Sequence, residues 1–286
     1  AVFIKSDTIL DGVPALASTA LGPAAPRVLN PSQGLDSYDP GWEVAVRYDL
    51  GPLSVFEATY MGAYDFSFTE SAASEPPGTF NLFTIFSNFG VPTPIPGVDS
   101  GSLYVLDYNS DLQSSELSYR RYWVGNNPRI SGTYLLGFRY VRLTEDLNLN
   151  LTADDGNGVG NVVNSNLLWD TSNDLLGFQL GGDGWVGLRQ GLRVGGDCKA
   201  GVYNNRYKFT GDGDFAAVAG APSDYTVLAD GNQVAFIGEA GISVVADILS
   251  SWSLKGGYHV WYIDNLATVG SNIDSSNFVP TVVNHE

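Results

Sequence analysis

Residues 132–143 read Gly-Thr-Tyr-Leu-Leu-Gly-Phe-Arg-Tyr-Val-Arg-Leu, and this stretch indicates the fold of the chain. Successive side chains of a β-strand point to opposite faces of the sheet. Tyr134, Phe138 and Tyr140 therefore share an aromatic face, and Arg139 lies on the opposite face. In a soluble sheet the aromatic face would cover a core, whereas in an outer-membrane barrel it would contact lipid.

The same alternation recurs along the chain and predicts that the chain is built of β-strands. Eight segments carry it clearly, at residues 41–50, 54–68, 112–124, 132–143, 175–182, 192–203, 234–247 and 252–263. A shorter run at residues 2–10 predicts a first strand before them. Outer-membrane barrels have an even number of strands, and no strand is predicted after Ile263. We therefore expect that a closing C-terminal strand is missing or that something else covers the open edge.

The connections between these segments alternate in length. The long ones are residues 11–40, 69–111, 144–174 and 206–233, and the short ones lie at 51–53, 125–128, 183–190 and 248–251. This alternation is typical of outer-membrane barrels, as are aromatic residues near strand ends. It predicts one domain, residues 1–286, that is an all-β, antiparallel up-and-down transmembrane β-barrel of about 8–10 strands with long outer loops and short periplasmic turns.

The parts of this predicted barrel follow the chain in order. A first strand and a long loop occupy residues 1–40, the main barrel strands occupy 41–263, and an outer loop or tail occupies 264–286. Within the second long connection, the apolar residues 80–89 predict either a short helix or a loop that folds inward.

The charge of the chain limits its partners. The 286 residues include 14 Lys and Arg but 31 Asp and Glu, which gives a net charge of −17. Nucleic-acid binding requires clustered cations, so this function class is disfavoured. No segment approaches the roughly 18 apolar residues of a membrane-spanning helix, which leaves crossing by β-strands as the membrane alternative.

The face opposite to the aromatic one carries a concentration of charge. Six of the 14 Lys and Arg residues occupy the alternate strand positions that point to this face, together with several acids. The candidate lumen-lining residues are Glu43, Arg47, Glu57, Glu116, Arg120, Arg139, Arg193, Asp197, Lys199, Glu239, Lys255 and His259. Two interpretations stay open: a salt-bridged plug that holds the strands in register, or a narrow polar pore that selects solutes. Arg139 is expected to meet an inward acid such as Glu116 on the preceding hairpin strand.

The sequence contains no convincing catalytic or metal-binding pattern. His259 and His285 are the two histidines and Cys198 is the single cysteine, so the usual metal-ligand spacings are absent. The acidic stretches 154–158 and 212–214 lack the ligand spacing of an EF-hand, which favours solvated turns. A hydrolase would need a nucleophile beside a base, and His259 has no identifiable serine partner. We therefore expect no enzymatic activity, no cofactor and no metal site.

Four short patterns lie within the predicted strands. They are Ser115-Glu116-Leu117 with Arg120-Arg121, Leu136-Gly137-Phe138-Arg139-Tyr140 followed by Leu143 and Glu145, Leu176-Gly177 with Gln179 and Gly181, and Lys199-Ala200-Gly201 with Asn204. In these patterns, over roughly residues 40–265, the chain resembles the putative β-barrel porin family of planctomycete bacteria. The resemblance implies an outer-membrane β-barrel and carries over no functional residues. The family pattern also implies a closing strand with glycine and aromatic residues, from which this chain departs by stopping at Glu286.

Two functions follow from these features. The first is a bacterial outer-membrane barrel, which either lets small solutes pass as a porin does or serves as a structural scaffold. Its expected partners are outer-membrane lipid and, through the long loops, a second copy of the chain or a cell-surface protein. The alternative is a secreted or surface-layer β-sandwich in a cell-surface assembly, whose aromatic face would be buried.

Overall fold

The structure, a computed structural model, describes residues 2–4, 15–22, 24–31, 39–76, 79–91, 93–155, 161–249 and 252–272. Most of this part of the chain is β-strand. The strands are β1 (Val2–Ile4), β2 (Ala17–Ser18), β3 (Arg27–Val28), β4 (Asp39–Gly51), β5 (Ser54–Ala73), β6 (Phe83–Thr84), β7 (Gly101–Val124), β8 (Ile130–Asp154), β9 (Val162–Arg189), β10 (Leu192–Asp214), β11 (Tyr225–Leu249) and β12 (Trp252–Asp264). The helical elements with described bounds are α1 (Val269–Asn272) and a 3-10 helix at Ile85–Ser87. None of these described helices has the length and apolar character that a membrane crossing requires.

Nine of the strands form one sheet in the order β1-β4-β5-β7-β8-β9-β10-β11-β12. Every neighbouring pair is antiparallel, which confirms the prediction of an all-β, antiparallel up-and-down arrangement. β1 and β12 form the two edges, and no described residues pair one edge with the other, so the sheet is open. β1 pairs with residues 39–41 of β4. Positions 5–10 of the predicted first strand lie outside the described residues.

The strands are longer than the sequence interpretation suggested. The connections predicted at 69–111, 144–174 and 206–233 are reduced to residues 74–100, 155–161 and 215–224. The predicted extent of these loops is wrong because period-two alternation continues through them. On β8, for example, every second residue from Glu145 to Ala153 is buried. The short turn placed at 183–190 is also mostly strand, since β9 runs to Arg189.

The half of the sheet next to the short turns is apolar on its outer face. On β8 this short-turn half covers residues 130–140, in which Tyr134 and Phe138 expose 66% and 63% of their surface. The run is about eleven residues long, which matches the roughly 9–11 residues of a tilted transmembrane strand. Together with Leu136, these side chains belong to an apolar band whose other large members are Trp42, Val44, Val46, Tyr48, Phe56, Leu117, Leu176, Phe178, Leu180, Val202, Val234, Phe236, Ile242, Val244, Trp252, Leu254, Tyr258, Val260 and Tyr262.

The half of the sheet next to the long loops has the reverse pattern. On β8 this long-loop half covers residues 142–154. Leu147 and Leu149 are fully buried on the inner face, whereas Asp146 and Asn150 are exposed on the outer face. The polarity of both faces therefore changes within one strand, just after Tyr140.

The sheet is curved strongly enough for distant strands to meet on its concave side. Lys199 Nζ of β10 lies 2.7 Å from Glu116 Oε2 of β7. These strands are three spacings apart, roughly 14 Å in a flat sheet. Arg139 of β8 meets Glu239 of β11 over the same strand separation. The concave side is therefore an enclosed interior for side chains, although the strands do not close a ring.

The interior of the long-loop half is filled by chain that precedes β4 and β7. β2, β3 and β6 form a small three-stranded sheet there. Leu16 and Leu82 of this region share one apolar cluster with Leu149 and Phe209 of the large sheet. We call the described residues of 15–31 and 79–100 the inner plug. For residues 80–89 the structure combines the two predicted alternatives, because a short 3-10 helix at Ile85–Ser87 lies within a segment that folds inward and buries Phe83, Ile85 and Phe89.

Candidate functional site

The interior of the short-turn half contains a first group of ion pairs around Glu57. This buried carboxylate accepts a hydrogen bond from Arg47 Nε at 2.5 Å and another from Arg120 Nε at 2.7 Å. Arg120 also contacts Asp183 at 3.2 Å, and Asp183 accepts a hydrogen bond from Thr133 Oγ1. Strands β4, β5, β7, β8 and β9 are thereby linked through side chains.

A second group of ion pairs lies deeper and is more fully buried. Arg139 donates from Nη1 to Glu239, and its guanidinium lies 4.2 Å from the ring centroid of Trp261. Lys199 Nζ bridges two acids, at 2.7 Å from Glu116 and 3.6 Å from Glu239. Two cations therefore face two carboxylates, and such pairing is what a buried charge requires to be tolerated.

Arg139 meets an inward acid as predicted, but this acid is Glu239 of β11 rather than Glu116 on the preceding hairpin strand. Arg139 and Glu116 are register partners on neighbouring strands, yet Arg139 Nε donates to Ser114 Oγ at 2.8 Å. The guanidinium of Arg139 points across the interior to β11. Glu116 instead pairs with Lys199. Arg139 is 3% exposed, so it does not point into bulk solvent.

Several other predicted residues do not join these two groups. Glu43 of β4, Lys255 of β12 and Arg193 of β10 are exposed. His259 Nδ1 lies 3.5 Å from Asp197 Oδ2 and forms a separate, more exposed contact. Glu43 and Lys255 lie on the strands next to the open side of the sheet, where no described strand faces them across the interior.

Asp183, Trp261 and Ser114 belong to the ion-pair groups but were not among the residues predicted from the sequence. Asp183 was assigned to a turn. It is four residues after the inward Gln179, and this even spacing along β9 indicates that Asp183 also points inward. Trp261 shares its parity with His259, so its inward position was readable in the same way. Ser114 lay in the predicted strand at 112–124 without being singled out, because a serine carries no charge to draw attention.

Gly181 of β9 leaves space for the side chain of Lys199. A Cβ atom at Gly181 would lie 2.4 Å from the carbonyl oxygen of Cys198 and 3.0 Å from Lys199 Cγ. A larger residue at this position would therefore displace the stem of Lys199. The absence of a side chain on β9 allows the lysine to extend over the sheet towards Glu116.

The chain after β12 turns into the interior and forms a further layer. Asn173 donates to the carbonyl of Ala267 at 2.7 Å and accepts from its N–H at 2.9 Å. Asn205 donates to the carbonyl of Asn265 at 3.1 Å. The segment after residue 264 was predicted to be an outer loop or tail, but its described part, 265–272, is held on the concave side. The reason is that buried asparagines of β9 and β10 replace the backbone partners it would otherwise lack.

Glu145 anchors this layer from β8, beyond the apolar band. Its buried carboxylate accepts hydrogen bonds from Tyr108 Oη at 2.8 Å, Thr171 Oγ1 at 3.1 Å and the Val269 N–H at 3.2 Å. No cation of the described chain lies within 4 Å of it. Burial raises the pKa of Glu145 to about 7, against the opposing effect of the three hydrogen bonds.

The interior is thus filled in layers from the short turns to the long loops. The ion-pair groups come first, an apolar cluster around Val141 and Ile237 follows, then the layer of Glu145 with residues 265–272, and finally the inner plug. The described residues include no group of three or more His, Cys, Asp and Glu side chains that could hold a metal ion.

Comparison with known proteins gives one finding. A family model described as "Putative beta barrel porin-7 (BBP7)" matches residues 84–282. No curated protein matches the chain significantly. The matched range contains β7 to β12 and the segment 265–272, and therefore all four charged members of the second ion-pair group.

Proposed function

The chain belongs to the putative beta barrel porin-7 family, and on this premise we propose that it is a β-barrel of the bacterial outer membrane that serves as a closed scaffold. Lipid is the partner of its apolar band. The long-loop end is the place where a second copy or a cell-surface protein would dock. The proposed role is structural and involves no catalysis.

The observation that carries the proposal is the reversal of polarity along the strands. Next to the short turns, large apolar side chains face outward over about the length of a membrane crossing. Beyond Tyr140, the outer face becomes polar and the inner face apolar, as in a water-soluble protein. A β-sandwich would instead cover the aromatic face with a second sheet, and no described segment packs over Tyr134, which is 66% exposed.

Closure of the sheet is part of the proposal. β4 and β12 are both 13 residues long and run in opposite directions. Within the described residues, β1 pairs with residues 39–41 of β4. Each unpaired backbone N–H or C=O group in lipid costs several kcal/mol of free energy. This cost favours pairing between the two edges of the large sheet, either directly or through one more strand. A closed barrel should keep a compact form in unheated dodecyl sulfate and migrate differently from a heated sample.

The filling of the interior supports a scaffold rather than a solute channel. A channel needs a water-filled path with a polar lining. In this molecule the ion-pair groups lie at one end, and the inner plug packs Leu16 and Leu82 against Leu149 at the other. Either layer would have to move before a solute could pass.

Two measurements, made one after the other, test the proposal. We expect the purified protein to require detergent for a monodisperse folded state, and to insert into planar bilayers without stable conductance steps. A folded, monodisperse protein in detergent-free buffer would contradict the membrane location. Stable conductance of the native protein would instead refute the scaffold role and favour passive passage of solutes.

A further inference from the structure

Exposed arginines cluster at the short-turn end of four neighbouring strands. Arg121 lies near the end of β7, Arg129 in the turn before β8, Arg189 at the end of β9 and Arg193 near the start of β10. All four side chains are exposed. We call these four residues the arginine rim.

The arginine rim is free of acidic partners within the described chain. Residues 121–144 and 184–196 contain neither Asp nor Glu, although the net charge of the protein is −17. Of the nearest acids, Asp183 pairs with Arg120 and Asp197 lies beside His259, so Asp247, which accepts from Ser253 Oγ, is the one exposed carboxylate next to the rim in the described structure. The rim is therefore a concentrated positive patch on an acidic protein.

Aromatic residues connect the rim to the apolar band. Arg121 is the register partner of the exposed Tyr134, whose ring lies 6.2 Å from that of Trp123. Arg193, by contrast, lies 5.7 Å from the ring centroid of Trp185 on the inward-facing positions of the sheet, where Trp185 Nε1 donates to Asp183. Tyr and Trp mark the depth of the lipid headgroups in membrane proteins, so the rim lies at the level where headgroup phosphates are found.

The opposite border of the apolar band is different. Its outward cations, Arg142, Arg206 and Lys208, alternate with acids. Arg142 lies 4.0 Å from Asp174, which is also the register partner of Arg206. Lys208 is likewise paired in register with an acid, Asp230. This border is close to neutral, so in the described part of the large sheet the cations without an acidic ion-pair or register partner lie on the short-turn side.

We propose that the arginine rim binds the phosphate headgroups of anionic phospholipids in the leaflet on the short-turn side. A guanidinium presents two parallel N–H donors that match the oxygens of a phosphate. Basic residues at a membrane surface attract anionic lipid, each one adding to the effect. The inference rests on the proposed membrane location and adds to it the class of lipid that the barrel selects.

The experiment compares two lipids that differ only in headgroup charge. Detergent-solubilised protein is titrated with phosphatidylglycerol or phosphatidylcholine of identical acyl chains, and lipid-bound species are counted by native mass spectrometry. We expect the native protein to bind phosphatidylglycerol about five- to tenfold more tightly, a modest effect for several surface charges. The variant R121Q/R129Q/R189Q should lose this preference, and 0.5 M salt should abolish it in the native protein.

The variant R142Q/R206Q/K208Q is the matched control, because it removes the same charge from the other border of the band. It should keep the preference for phosphatidylglycerol. Equal loss in both triple variants, or no preference in the native protein, would overturn the lipid site while leaving the membrane location intact. A protein that does not form a folded species in detergent would instead contradict the proposed function itself.

Discussion

The two halves of β8 have one hydrogen-bond ladder and opposite surroundings. In the short-turn half, Leu136 points outward and is 49% exposed, whereas in the long-loop half Leu149 points inward and is fully buried. Both leucines are part of the same period-two pattern. The comparison teaches that alternation identifies a strand, whereas the polarity of the outward face identifies the solvent around it.

The contents of the interior differ for the same reason. Where the outward face is apolar, polar side chains remain for the inside, and they are stable there only as ion pairs such as Arg139 with Glu239. Where the outward face is polar, the inside can be filled with apolar residues such as Trp169 and Phe209. The two halves should therefore respond differently to equivalent substitutions.

The largest effect is expected from breaking the buried ion pair of the short-turn half. Arg139→Met removes the main partner of Glu239 and leaves this carboxylate with Lys199 at 3.6 Å. Removal of one member of a buried pair costs about 3–5 kcal/mol of unfolding free energy. Urea unfolding of the detergent-folded protein would measure this loss.

Two further variants show whether the uncompensated charge causes that loss. The double variant R139M/E239Q should recover much of the stability, because no unpaired carboxylate is left. Arg142→Met, at a position of the same strand that is 52% exposed, should change the unfolding free energy by about 1 kcal/mol or less. If R139M and R142M destabilise equally, the interior charges do not hold this half together.

Much of the sheet could be predicted from the sequence, because strand periodicity and the polarity of one face are local properties. The eight main strands and the inward position of residues such as Glu57 and Lys199 are of this kind. The long-loop extensions were missed, although Leu147, Leu149 and Leu151 alternate strictly with polar residues. These leucines point to the same face as Arg139, which is the inner face. The strands were predicted from apolar outward faces, and this criterion does not detect a segment whose apolar face is inside.

The partners of the interior charges could not be predicted from the sequence. Arg139 has Glu116 as its register neighbour, but its actual partner, Glu239, is 100 residues away in the chain. That contact depends on the curvature of the sheet, which results from all strands together. The inward course of residues 265–272 likewise depends on Asn173 and Asn205 being presented by two different strands.

A matched pair of leucines tests the reversal of polarity directly. Leu149→Ala leaves a cavity in the buried apolar cluster and should cost about 2–5 kcal/mol of unfolding free energy. Leu136→Ala on the same strand truncates an outward side chain and should cost about 1 kcal/mol or less in detergent, because detergent adapts to the smaller surface. Similar losses for the two variants would show that the halves do not differ in packing.

A further effect concerns Glu145, a buried acid of the long-loop half that has no cation within 4 Å in the described structure. Its pKa is raised from 4.5 to about 7. At pH below about 4.5 the carboxyl is protonated in both the folded and the unfolded chain, so it causes no penalty there. Between about pH 4.5 and 7 the unfolded chain releases this proton more readily, and the unfolding free energy should fall by about 3 kcal/mol.

Glu145→Gln imitates the protonated acid and should remove this decline, so the variant should be more stable than the native protein at pH 8 and similar to it at pH 4. Urea unfolding across this range measures the difference, and Asp230→Asn, which removes an exposed carboxylate of the same half, should keep the native slope. An unchanged slope in E145Q would mean that Glu145 is stabilised as an anion by its three hydrogen bonds. In that case the long-loop half would tolerate a buried charge without a cation, and the contrast with the ion-paired interior of the short-turn half would be lost.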